Sequence, residues 1–184
     1  MGVLAVGCAE AESDDPTLGR AALPEVELCD GVRDWPEAWA RDEQAAIDRI
    51  DALRERGADC GSKGRGSAAP MLRLSGALTC AARAHAVAMA EQAHVGHVTP
   101  DEVDTATRIA AVEYEGAVIE HVAAGPQTAE EVVDGVWRVS DLHCIDLLAP
   151  AHIDVGVGLV GATMDGTPYA TYWVVLLGDP PGGG

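Results

Sequence analysis

The sequence predicts a mixed fold of the α+β class, and three observations carry that prediction. Apolar residues recur at helical spacing in two early stretches, residues 36–56 and about 78–93. Residues 118–150 then set a strand-like run carrying Glu120 and His121 before a capped helix. Finally, residues 153–160 and 169–177 have the β-branched and glycine-marked composition of paired strands.

With 184 residues, 48% of them apolar, the chain supplies one domain and a sizeable core. A formal net charge of -18 argues against nucleic acid and anionic membrane surfaces as partners, because both recruit basic patches. Small ligands, cations and proteins stay open. No stretch is long enough for a transmembrane helix. The five cysteines (Cys8, Cys29, Cys60, Cys80 and Cys144) contain no C-x-x-C pair, which removes the usual zinc and thioredoxin signals. An odd count leaves one spare, and Cys8 is the candidate. Residues 1–8, M-G-V-L-A-V-G-C, read as a truncated bacterial lipoprotein signal with Cys8 acylated, although no Lys or Arg precedes it. The alternative is an ordinary N-terminus with one free thiol. Export also suits the other four cysteines as two disulfides, the alternative being four reduced, buried thiols.

Residues 9–35 are expected to be an acidic tether: Glu10, Glu12, Asp14, Asp15, Glu25 and Glu27 face only Arg20 as far as Leu28, with Pro16 and Pro24 among them. The folded domain is expected over residues 36–178, with residues 179–184 as a frayed tail. In the first helix Ala40, Ala45, Ile47, Ile50 and Leu53 form the stripe, and Gly57 stops it. Cys60 follows in a Gly/Ser/Lys-rich loop. The second helix is rich in Ala, so it can approach its neighbours closely; Leu78, Ala81, Ala82, His85 and Met89 share one face. His85 there reads as a hydrogen-bonded core histidine in preference to a ligand. The loop H-V-G-H-V-T-P brings His94 and His97, and a short helix through Arg108 to Tyr114 follows.

Glu120 is the first polar surprise. An apolar strand is a costly place for a carboxylate unless a proton, a cation or hydrogen-bond donors lie beside it. Thr128 and Glu131 form a capping box that starts the next helix, on which Trp137, Ser140 and His143 lie along one side at i, i+3, i+6. Gly156 and Gly158 mark close approach of another backbone, and Asp165-Gly166 is a turn that lets the last two strands pair.

Six segments in order resemble one family: A-R-A-H-A-V-A-M-A, H-V-G-H-V-T-P, I-E-H-V-A-A-G with T-A-E-E-V-V, W-R-V-S-D-L-H-C, D-V-G-V-G and Y-W-V-V-L-L-G. Together they resemble a bacterial member of the CAP superfamily. That group includes the cysteine-rich secretory proteins, antigen 5 and the plant pathogenesis-related proteins, and its module is also called the SCP domain. The resemblance implies a three-layer α-β-α sandwich with a small antiparallel sheet. It also implies a ligand cleft lined by His97, Glu120, Ser140 and His143, Ser140 standing where other members carry a second acid. Two departures accompany it: Ile119 and His121 replace the Gly and Asn that flank the family glutamate, and Val95 and Gly96 replace its aromatic residues. The cysteines fit two crosslinks, Cys80–Cys144, which would hold His143, and Cys29–Cys60.

His97, His143 and Glu120 together are a donor set suited to zinc or another divalent cation, with Ser140 a poor fourth ligand that leaves a position open. His121 and Glu120 are strand neighbours and cannot both face that cleft. The competing reading is a hydrogen-bonded structural cluster without metal. Ser140 and His143, with Glu120 orienting the imidazole, are the alternative catalytic set of a serine-type or metal-dependent hydrolase or protease. No nucleophile elbow or H-E-x-x-H motif accompanies them. The expected function is therefore binding without catalysis. The protein is expected to be a secreted or lipid-anchored cell-envelope monomer whose cleft takes a lipid-like small molecule, a divalent metal or an envelope protein.

Overall fold

The computed structural model describes residues 21–161 and 167–180. The lipoprotein-type signal with Cys8, the first part of the acidic tether, the Asp165-Gly166 turn and the last four residues of the tail lie outside that range. Described elements run α1 (Glu27–Asp30), α2 (Glu37–Arg56), β1 (Ala58–Asp59), β2 (Arg65–Gly66), β3 (Arg73–Leu74), α3 (Gly76–Glu91), α4 (Thr105–Ala111), β4 (Ala117–Ala124), α5 (Ala129–Val132), α6 (Asp141–Leu147), β5 (Asp154–Gly161) and β6 (Thr171–Asp179). The main sheet has the order β3-β5-β6-β4, so β4 lies at its edge. Strands β5 and β6 pair antiparallel, as do β4 and β6, while β3 adds a short parallel pairing to β5.

Side-chain alternation along β6 divides the core into two layers. Trp173, Val175 and Leu177 pack with α2, α5 and α6. Tyr172, Val174 and Leu176 pack with α1, α3 and α4. The result is the expected sandwich of helices on both faces of a small sheet. Strand β5 shows why α3 is so rich in alanine. A Cβ on Gly156 would meet the backbone of Leu78 and Thr79, and one on Gly158 the backbone of Ala82 and Arg83. Glycine on the strand and alanine on the helix let the two backbones touch. Two buried arginines then lock the layers. Arg54 of α2 donates to the carbonyls of Pro70, Leu147, Ala149 and His152. Arg83 of α3 holds Glu43 of α2, which also accepts from the Leu159 amide at 3.0 Å.

Three expectations need correction. Residues 21–35 are not a free tether. Short helix α1 buries Cys29, Val32 is 2% exposed, and the Ala22 carbonyl lies against Gly76, because these residues cover the α3 side of the core. The disulfides are Cys29–Cys80 and Cys60–Cys144, replacing the expected Cys29–Cys60 and Cys80–Cys144. Docking of α1 on α3 brings Cys29 to Cys80, and the β1–β2 ribbon holds Cys60 beside α6. Each closes a long loop (sequence separations 51 and 84) and contributes roughly 4 kcal/mol in the chain-entropy account. Finally, the helix begun by Thr128 does not run straight through to Cys144. Thr128 caps α5 as expected, but the chain passes into a π-helical turn at Val133–Trp137. Ser140 is then extended (φ -85°, ψ 119°) and opens α6. Trp137 is buried on one segment and His143 lies in the first turn of the next, so the three-residue stripe is broken.

Candidate functional site at the edge of the sheet

Strand β4 presents Glu120 to one helical layer and His121 to the other, as strand alternation requires. Glu120 pairs across the sheet with Leu176 of the α3 layer, and His121 with Val175 of the α6 layer. The two neighbours therefore meet different surroundings.

The Glu120 side chain is 2% exposed and fully engaged. Its Oε2 accepts from Arg108 Nη2 at 2.9 Å. Its Oε1 accepts from Thr105 Oγ1 at 2.9 Å and from His97 Nδ1 at 2.9 Å. Arg108 also donates to the carbonyls of Val103 and His97, which staples the loop before α4 to the strand. The cost of burying a carboxylate is met by a guanidinium and two further donors. Because the carboxylate only accepts, His97 donates from Nδ1, and Nε2 of this half-exposed ring has no hydrogen-bond partner among the described residues. His85 is the core histidine the sequence suggested. It is fully buried, donates from Nε2 to the Gly96 carbonyl at 2.8 Å, and burial lowers its pKa to about 4.

The other face gathers imidazoles. The rings of His121 and His143 lie 4.4 Å apart, and His121 Nε2 is 3.9 Å from Asp146 of α6. His121 Nε2, His143 Nδ1 and both ring nitrogens of His152 are buried without a hydrogen-bond partner. Burial, followed by the neighbouring histidines His143, His97 and His152, lowers the His121 pKa to about 3. Burial likewise lowers His143 and His152 and raises Asp146. These rings are neutral at pH 7, and their unmet donors and acceptors each cost on the order of 1–3 kcal/mol.

The expected set of His97, Glu120, Ser140 and His143 is thus divided in its hydrogen bonds, although His97 lies near enough to the His121 and His143 rings to lower their pKa values. His97 and Glu120 bond directly, His143 belongs to the His121 cluster, and Ser140 starts α6 without a side-chain cap bond. Among the described residues no hydrogen bond links Ser140 to His143, so the links of a nucleophile–base–acid relay are not in place. Nor is any group of three or more His, Cys, Asp or Glu among the described residues placed to hold a metal ion. The cation on Glu120 is Arg108. The expected zinc triad of His97, His143 and Glu120 is not assembled as such a group among the described residues. Sequence reasoning missed Arg108, Thr105, Asp146 and His152 as participants. The one available signal was Thr105 and Arg108 at i, i+3, on one face of a short helix.

Comparison with known proteins agrees with this fold. The CAP family model, described as the cysteine-rich secretory protein family, matches residues 47–177. Among solved structures, an outer surface protein from Borrelia burgdorferi superposes with a TM-score of 0.61 at 20% identity, over 76% of this chain and 93% of that one. An extracellular protein containing a SCP domain from Bacillus anthracis str. Ames gives a TM-score of 0.57 at 18% identity. There the match spans 78% of this chain and 43% of that one. No curated protein matches the chain.

Proposed function

Since the chain belongs to the CAP, or cysteine-rich secretory protein, family, we propose that it binds a small amphipathic ligand at the edge of its sheet, without catalysis. The observation that carries this reading is the cluster of buried, unpartnered imidazole nitrogens on His121, His143 and His152. Buried polar atoms in folded proteins nearly always have a partner, and a bound polar group would supply one here. The flanking surface is apolar. Val95 and Val98 on the His97 loop are 36% and 49% exposed, and Val139 and Leu142 around Ser140 are 62% and 53% exposed. Imidazoles for a polar head and exposed aliphatic groups for a tail make an amphipathic site. A neutral ligand suits a chain of net charge -18 better than an anion does.

We also propose export to the cell envelope or beyond it. Two disulfides suit an oxidising compartment, and the two solved relatives are named as an outer surface and an extracellular protein. Acylation of Cys8 remains part of this proposal and is read directly by intact mass of the membrane-extracted protein.

The test of binding is a fluorescence titration with N-phenyl-1-naphthylamine, a neutral apolar probe, competed by long-chain alcohols. Saturable binding is expected, weakened at least about tenfold by Leu142→Asp or His143→Ala and unchanged by Ser140→Ala. Two results would replace the reading. Ester turnover abolished by Ser140→Ala would make the protein a hydrolase. Micromolar Zn²⁺ binding lost in both His97→Ala and His143→Ala would make it a metal site.

A further inference from the structure

A second site lies where residues 21–25 and the turn after α1 rest against α2 and α3. There the described residues line an open cavity of about 440 Å³, and none of its lining residues belongs to the histidine cluster. That size suits a small organic molecule. We propose that this cavity binds an amino-acid-like zwitterion with an aromatic or branched apolar side chain.

The positive end of the cavity is Arg83, which is 8% exposed and lies in the wall. Its Nε and Nη2 are committed to Glu43 at distances of 2.5–3.2 Å, which leaves Nη1 out of the pair. The guanidinium carbon sits 4.8 Å from the centre of the Trp35 ring, and the Trp35 indole donates to the same Glu43 at 2.7 Å. One carboxylate thus fixes both the cation and the ring, so ligand binding needs little reorganisation. Thr79, also in the wall, holds a buried hydroxyl without a partner. A χ1 turn, to which threonine in a helix has access, makes it a second donor to a ligand carboxylate.

The negative end is Asp34. Arg33 is already shared between Glu25 and Asp30, each at 3.3 Å, and donates to the Pro24 carbonyl. Among the described residues Asp34 forms no salt bridge, and it stands exposed in the cavity lining. A free carboxylic acid would leave this charge facing its own kind on a chain of net charge -18. A zwitterion places its carboxylate on Arg83 and its ammonium on Asp34, and it carries no net charge. Trp35, Leu23 and Ala40 supply the apolar wall for its side chain.

The experiment compares L-phenylalanine, 3-phenylpropionate and 2-phenylethylamine by calorimetric titration of the full chain. L-Phenylalanine is expected to bind with Kd on the order of a millimolar or tighter, and each singly charged analogue at least about tenfold more weakly. Asp34→Asn, a change at an exposed position, should weaken L-phenylalanine about tenfold while leaving 3-phenylpropionate unaffected or improved. Ala40→Trp, which fills the cavity from α2, should abolish binding with the thermal midpoint retained. The proposal is overturned by absence of L-phenylalanine binding to the wild-type chain at about 10 mM. It is overturned equally if 3-phenylpropionate binds as tightly as L-phenylalanine, or if Asp34→Asn changes nothing. If Ala40→Trp fails to fold, Asp34→Asn alone decides.

Discussion

Glu120 and His121 are consecutive residues of one strand, yet Glu120 takes hydrogen bonds from three side chains while His121 Nε2 is buried with none. The difference follows from what each group can do when buried. A carboxylate in a low-dielectric layer keeps its charge only beside a cation and donors, and α4 supplies Arg108 and Thr105 for that purpose. An imidazole can shed its proton and stay, at the cost of unmet hydrogen bonds. The Glu120 carboxylate is therefore fully engaged and holds the loop to the sheet, although Nδ1 of His85 and Nε of Arg108 beside it are buried without a hydrogen-bond partner among the described residues. The His121 face holds the larger group of unpartnered imidazole nitrogens, on His121, His143 and His152. A strand alternation of one residue separates a structural staple from the imidazole cluster.

The largest effects should come from breaking the Glu120 staple. Arg108→Met leaves Glu120 buried without its cation, and a loss of roughly 3–5 kcal/mol is expected by chemical denaturation. Glu120→Gln in the same background should recover part of that loss, because it removes the charge left unpaired. Next comes Cys60→Ala with Cys144→Ala. Opening that crosslink should cost roughly 4 kcal/mol and loosen α6, with faster hydrogen exchange around His143.

An intermediate effect is expected from acid, and it belongs to the imidazoles. His85 and His121 have folded pKa values lowered to about 4 and about 3. The unfolded chain, with histidines near 6.5, then binds more protons than the folded one below that pH. Stability is full above about pH 6.5 and falls as pH drops through 6.5 toward 4, by about 1.4 kcal/mol per pH unit for each such histidine. Glu43, Asp51 and Asp146, raised by burial, take up protons more readily when folded and offset part of the decline. Urea midpoints at pH 7.5, 6 and 5 should descend in wild type. His121→Asn should flatten the slope.

The smallest effect is expected at His152. His152→Phe removes two unpartnered ring nitrogens and fills a similar volume, so a change within about 1 kcal/mol, of either sign, is expected from thermal midpoints. A loss above about 3 kcal/mol would mean that the cluster is internally bonded, and the contrast between the faces would fail.

What could be read in advance follows the same division. Helix α2 ended at Gly57 and α3 met the strand glycines, because those signals are local and periodic. The pairing of β5 with β6 was legible for the same reason. The disulfide partners and the folded state of residues 21–35 were not, because they depend on how α1 docks on α3. The break at Ser140 was hidden too. V-V-D-G-V-W has ordinary helical patterning, and a π turn leaves no period of its own in so short a run. Glu120 was recognised as a carboxylate needing partners, but its cation lies on another element, twelve positions earlier in the chain.

The most direct test of the contrast is a histidine-selective NMR titration following the ring carbons of His97, His121 and His143 from pH 8 to pH 4. The account predicts that the His121 ring stays neutral to about pH 4, while His143 titrates below the ordinary histidine range. A His121 ring that protonates near pH 6.5 with the fold intact would contradict it. The second face would then carry a charge that some partner satisfies, and it would be no more open to a ligand than the first.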